Sequence, residues 1–266
     1  MIPVEVQRGD SPIVLGLPHT GTHVPEDVHA ALNDRGRAIA DTDWHIHTLY
    51  DGLLPGVTTV RATFHRYAID ANRDPSGASL YPGQNTTGLV PLTDFDGHSI
   101  WQTEPTAEEI EARRTTYHAP YHAALQAELD RVHDKHGVVI LYDCHSIRSL
   151  IPFLFDGTLP DLNIGSNHQK SCAPAVEEAV VARSTAATEY SSVLNGRFTG
   201  GWTTRHYGRP DENRHAIQME LAQTAYLTEE NAPWDYDPQK AAQLRPVLSD
   251  ILHALEDLAP TLGALK

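Results

Sequence analysis

Four short apolar runs constrain the fold most: residues 13–17, 58–64, 138–142 and 217–221. Each is nearly continuous rather than alternating, the pattern of a strand buried on both faces. Helical signals stand between them. Thr106 and Glu109 form a capping-box pair ahead of an amphipathic stretch reaching about His136. Gly137 comes next as a C-cap, and Pro120 is set to kink or split the helix. A second helix is expected over residues 41–54, with Trp44, Ile46, Leu49 and Leu53 along one side. Asp237 and Pro238 open a third, an N-cap followed by proline, which carries Leu244, Val247, Leu248, Ile251 and Leu255. Strands alternating with helices predict an α/β sandwich. Residues 70–97 are rich in Gly, Pro, Asn and Asp and read as a long ordered loop, a kind that is usually functional. No internal repeat or Pro/Ser-rich linker interrupts residues 1–266, and one domain is expected.

Charge excludes several classes of partner. The chain carries 35 acidic against 20 basic residues, a formal net charge of -15. Such a protein repels phosphate backbones, so nucleic acid is not expected as a partner. Anionic membrane surfaces are disfavoured for the same reason, and no apolar run reaches the ~18 residues of a membrane span. The start, MIPVEVQRGD, has neither the basic nor the apolar region of a signal peptide. The two cysteines, Cys144 and Cys172, do not make a disulfide framework. Together these predict a soluble cytoplasmic protein. The sequence carries no signal for an oligomeric state.

The polar residues at the strand ends are the candidate site. His19 stands just past the first run, where open α/β sheets place ligands; a satisfied turn histidine is the alternative. His23 in the following loop is a weaker candidate. The strand VVILYDCHS ends in Asp143 and His145, polar groups that are wasted there unless they bind something. Two strand-end histidines and one carboxylate make a set that zinc hydrolases often use. The carboxylate is Asp43 or the neighbouring Asp41, for which a plain helix N-cap is equally open. Cys144 alternates to the other face from His145 and reads as a small core residue. Glu220, between Met219 and Leu221, sits where burial raises a carboxyl pKa, as a general base requires; a buried ion pair with an arginine is the alternative. Arg66, Arg73, Arg148, Arg197 and Arg205 lie near strand ends or in glycine-rich turns, which suits recognition of a carboxylate or phosphate. For Arg148 a plain surface position is as good a reading. No phosphate-binding glycine motif is present.

Taken together, PHTGTHVP, DTDWHIHTLYD, RYAIDANRDP, SLYPGQNTTGLVP, FDG, YDCHSI, LPDLNIGS, LNGRFTGGWTTRHYG and HAIQMELAQ resemble the N-formylglutamate amidohydrolase (deformylase) family. The likeness runs over about residues 12–226 with the motifs in order. It implies a three-layer α/β sandwich like that of the zinc carboxypeptidases and aspartoacylases, with a mixed, mostly parallel sheet of about eight strands. It also implies hydrolysis of N-formyl-L-glutamate to formate and glutamate, the last step of one histidine-degradation route. In that pattern His19 and His145 are zinc ligands. A glutamate normally stands three residues after the first; here Thr22 occupies that place, and Asp43 is the substitute. Glu220 matches the base, Arg66 the oxyanion arginine, and Asn72 with Arg73 the clamp for a substrate carboxylate. The other carboxylate of a dicarboxylate substrate falls to Arg205, with Arg197 as second candidate. The metal is zinc or another divalent cation. A deacylase of another N-acyl amino acid, such as N-formylaspartate, is the close alternative, and a non-catalytic carboxylate- or metal-binding protein the distant one.

Overall fold

The computed structural model describes residues 1–79 and 85–263. Leu80–Gln84 of the motif SLYPGQNTTGLVP therefore lie outside the described residues. Seven strands form one sheet: β1 (Val4–Gln7), β2 (Ile13–Leu17), β3 (Thr58–Ala62), β4 (Val139–Ile147), β5 (Leu162–Gly165), β6 (Ser192–Leu194) and β7 (Arg214–Ala222), in the order β1-β3-β2-β4-β7-β5-β6. The central β3-β2-β4-β7 pairings are parallel, as is β5-β6. β1 runs antiparallel to β3, and β5 antiparallel to β7. The mixed, mostly parallel sheet is as expected, with seven strands among the described residues in place of about eight. β1, β5 and β6 had no sequence signal: they have three or four residues each and lie at or near the edges, so pairing defines them more than composition does.

Strand parity divides the core. Ile13, Leu15 and Leu17 of β2, Ile140, Tyr142 and Cys144 of β4, and Ile217, Met219 and Leu221 of β7 pack against α3 (Ile46–Tyr50), α6 (Pro174–Ala186) and α8 (Pro238–Gly263). Val14, Val139, Leu141 and Ala216 face the other way, against Tyr121, Leu125, Leu129 and Val132 of α5 (Ala119–His136). Successive side chains alternate across a strand. The same parity therefore carries Asp143, His145, Gln218 and Glu220 onto the α5 side, at the carboxyl ends of β4 and β7. Cys144 is a core residue on the opposite face, as its position suggests.

The helix expected over residues 41–54 shrinks to α3, five residues long. Asp41 is not a helix cap. Its Oδ2 accepts the Tyr67 hydroxyl at 2.7 Å and the Phe95 N–H at 2.9 Å. The segment before α3 is instead drawn to β2, where the Asp43 N–H bonds the His19 carbonyl at 3.1 Å. The Thr106–Glu109 capping box is present at the start of α4 (Ala107–Arg113). The expected stretch is divided just ahead of Pro120, as the proline suggests. A π-helical turn, Arg114–His118, joins α4 to α5 and sets the proline at the first turn of α5, where a missing N–H costs least. Asp237 caps α8, its Oδ1 accepting from Gln239 and Lys240. Among the described residues no helix is long and apolar enough to cross a membrane.

Candidate active site

The carboxyl ends of β2, β4 and β7 meet at one buried cluster. His19, two residues past β2, donates from Nε2 to Asp70 Oδ1 at 2.6 Å. A carboxylate only accepts, so this bond fixes the tautomer and leaves a lone pair on Nδ1. That Nδ1 is buried, has no hydrogen-bond partner, and lies 3.8 Å from Asp43 Oδ2. His145 brings its own Nδ1 to 3.2 Å from the same oxygen. The ligating atoms of His19, Asp43 and His145 all lie within 4.8 Å of one another. Two imidazole nitrogens and a carboxylate oxygen around an unsatisfied lone pair fit a divalent cation.

The surrounding groups hold the cluster. Asp43 Oδ1 accepts a short hydrogen bond from Arg66 Nη2, and Oδ2 accepts the Ser146 N–H at 3.1 Å. Asp143 Oδ1 is 3.1 Å from His145 Nε2, while its Oδ2 accepts the Thr204 hydroxyl at 2.9 Å. Such partners orient metal-ligating imidazoles. Burial opposes ionisation of Asp43, but the Arg66 guanidinium together with His145 and His19 outweighs it and keeps the carboxyl pKa below its usual range. Burial likewise opposes ionisation of Asp70, yet Arg73 and His19 hold it well below. For His145, burial disfavours the cation, but the Asp143 charge and hydrogen bond raise its pKa well above the ordinary imidazole value.

The cluster opens into a cavity lined by His19, Arg66, Arg73, His145, Arg197 and Glu220 among others. Phe95, Ile147, Leu154 and Phe198 form its apolar wall. Glu220 is 8% exposed, and burial pushes its pKa up to about 8. Arg66 keeps a buried Nε without a hydrogen-bond partner and sits over the Phe95 ring at 5.1 Å. Buried ligands, a carboxylate of raised pKa and guanidinium groups in one cavity are a constellation suited to hydrolysing an anionic amide.

A profile of the N-formylglutamate amidohydrolase family matches residues 11–227. The chain belongs to that family. It is 43% identical over 252 residues to a Pseudomonas aeruginosa protein named N-formylglutamate deformylase, covering 94% of each chain. A Pseudomonas putida protein of the same name is 42% identical over 251 residues, with 93% of each covered. The crystal structure of an N-formylglutamate amidohydrolase from Ralstonia eutropha superposes with a TM-score of 0.79 at 26% identity, covering 96% of this chain and 98% of that one. A gene product of Agrobacterium tumefaciens shares the fold, with a TM-score of 0.72 at 16% identity over 97% and 96% of the chains. The protein is thus an enzyme of the amidohydrolase kind.

Within this family member the residues singled out in the sequence are brought together unequally. His19, Asp43, His145, Glu220, Arg66 and Asn72 converge. Arg73 lines the cavity while donating to the Thr87 carbonyl and hydroxyl, both at 2.8 Å. Arg197 lines it too, donating to the Leu154 and Asn85 carbonyls, both at 2.9 Å. Arg205 is not among the lining residues; its Nε and Nη2 donate to the Gly200 carbonyl and the Thr199 hydroxyl. His23 is exposed and pairs by backbone with Phe64. Arg148 is no plain surface residue, because its Nη2 lies 3.1 Å from Asp96 Oδ2. Sequence reasoning did not single out Asp70 or Gln218 for a role in the site, and it marked Asp143 only as a strand-end polar group without a specific part. Asp143 and Gln218 each stand two positions before a candidate residue on a strand, and that parity was a readable signal. Asp70 meets His19 across 51 positions, a contact without a local trace.

Proposed function

We propose that the protein hydrolyses N-formyl-L-glutamate to formate and L-glutamate, with a divalent metal held by His19, Asp43 and His145. What supports this reading is the joining of the three-ligand cluster, the buried Glu220 and three arginines in one cavity of an N-formylglutamate amidohydrolase family member. A zinc-type cation bound there would lower the pKa of a water to about 7 and polarise the formyl oxygen. Glu220 takes the proton of the attacking water and returns it to the leaving amine. Its raised pKa lets it carry that proton between the two events. The buried Nε of Arg66 is a donor for the developing oxyanion. Asn72 and Arg73 receive one substrate carboxylate. Arg197, which lines the cavity where Arg205 does not, receives the other. The arginines supply a local positive field inside a body of net charge -15, which a dianionic substrate needs. Histidine degradation in the cytoplasm is the setting this reading implies, and the whole chain acts as one amidohydrolase unit.

The test is formate release by the purified protein from N-formyl-L-glutamate, N-formyl-L-aspartate and N-acetyl-L-aspartate, before and after chelation. Fast turnover of N-formylglutamate that is lost with a chelator and restored by a divalent metal is the expected result. Preference for another acyl amino acid would move the substrate assignment. Full activity after demonstrated metal removal would sink the metal assignment.

A further inference from the structure

We propose that Gln218 is a positioning residue that fixes the carboxylate of Glu220 against the first turn of α7 (Trp202–Tyr207). The inference rests on the proposed function, in which Glu220 is the base. Gly201 precedes α7, and its N–H donates to Gln218 Oε1 at 2.6 Å. That bond settles which end of the amide is oxygen. Nε2 therefore faces Glu220 Oε2, 3.0 Å away, and donates to it. The two residues are two apart on β7 and share one face, so the strand itself sets their spacing. Both line the cavity. With Oε2 engaged, the carboxylate is held against rotation, and Oε1 is the oxygen left to handle the proton.

The same turn holds a second amide. The Thr203 N–H donates to Asn72 Oδ1 at 2.8 Å, which leaves Asn72 Nδ2 at 3.1 Å from His145 Nε2. The first N–H groups of a helix have no partner within it. Here two side-chain amides receive them, and each turns its nitrogen toward the reacting machinery. The spacing has no slack: a Cβ on Gly201 would stand 2.2 Å from Asn72 Nδ2. The first turn of α7 thus works as a fixed reference for Glu220 through Gln218.

The alternative is that Gln218 only caps the turn. Gln218→Glu separates the two roles, because it keeps an acceptor for the Gly201 N–H and removes the donor to Glu220. Gln218→Met removes both. If Gln218 positions the base, each variant lowers kcat by about 10- to 100-fold, the worth of a hydrogen bond to a charged group, with KM nearly unchanged. In a Glu220→Gln background the Gln218→Met change should then cost nothing further. An equal loss in both backgrounds, or a Gln218→Glu variant as active as the parent, overturns the proposal. A crystal structure of Gln218→Glu supplies a readout free of turnover. The Glu220 carboxylate should leave the place it holds beside residue 218, and an unmoved carboxylate counts against the idea. Formate release by the parent is the control: its absence dismisses the function, while the crystallographic arm still decides the positioning role.

Discussion

Asp70 is completely buried and holds the tautomer of His19 through a single hydrogen bond. Removing such a partner typically costs 10- to 100-fold in metal affinity. Asp70→Ala should therefore weaken zinc binding by about that factor, measured by competition with a chromophoric chelator; unchanged affinity would mean that His19 is oriented by packing alone. Glu220→Gln probes the chemistry instead. It keeps the size and one oxygen and removes the proposed base, so kcat should fall about 10²–10⁴-fold while metal content stays the same. The arginines divide by position. Arg197→Met should raise KM for N-formyl-L-glutamate, and Arg205→Met should leave KM alone, because only the first lines the cavity. The reverse result would return the distal carboxylate to Arg205.

Two elements carry predictions of their own. Thr106 accepts the Glu109 N–H, and the Glu109 carboxylate returns to the Thr106 N–H. Thr106→Ala should destabilise the protein by about 1 kcal/mol, read from urea midpoints at constant m-value. In β7, His215 Nδ1 accepts the Ala173 N–H at 3.2 Å, and burial pushes the pKa of this imidazole down from 6.5 to about 4. These two values give the pH effect its sign. Between them the unfolded chain binds a proton that the folded chain refuses, so stability is full above pH 6.5 and is lost as pH falls toward 4. Unfolding at pH 7, 5.5 and 4.5 should show this slope, and His215→Asn, whose Oδ1 takes the acceptor's place, should reduce it. β4 extends well past the apolar run that announced it, to Ile147, and β7 begins three residues ahead of its run, at Arg214. Asp143, His145, Ser146, Arg214 and His215 among the added residues are polar, which is why composition missed them. Ladder pairing of Asp143 with Gln218 and His145 with Glu220 continues the strands all the same.

At the scale of the molecule, the candidate metal cluster joins three distant segments: the end of β2, the loop ahead of α3, and β4. A cation bound only by the folded chain stabilises it by mass action, about 2.7 kcal/mol at a free concentration of 100 times Kd. Chelation should lower Tm, zinc should restore it, and Asp43→Ala should abolish the difference. A Tm indifferent to both in the parent protein would argue against a metal held by these residues. The three cavity arginines also sit within a strongly acidic whole. For the proposed dianionic substrate, these arginines supply a local positive field that the net charge does not reveal.

The sequence by itself determined the alternation of buried strands and helices, the caps of α4 and α8, the family, and the residue types of the site. All of these are local or near-local signals: apolar runs, fixed spacings, short motifs. Strand parity was among them, and it already set Asp143 beside His145 and Gln218 beside Glu220. Only the tertiary structure decided the rest. Asp43 reaches His145 across 102 positions, and Asp70 reaches His19 across 51, because sheet order brings the ends of nonconsecutive strands together. The helix expected over residues 41–54 yielded its first turn for the same reason. A backbone hydrogen bond to His19, and the contacts of Asp43 with Arg66 and Ser146, hold that segment at the site rather than in a helix. Neither Arg197 nor Arg205 carries in its neighbouring sequence which of them faces the cavity. That choice belongs to the packing of the segment between β6 and α7 against the Leu154 and Asn85 carbonyls, contacts that span 43 and 112 positions.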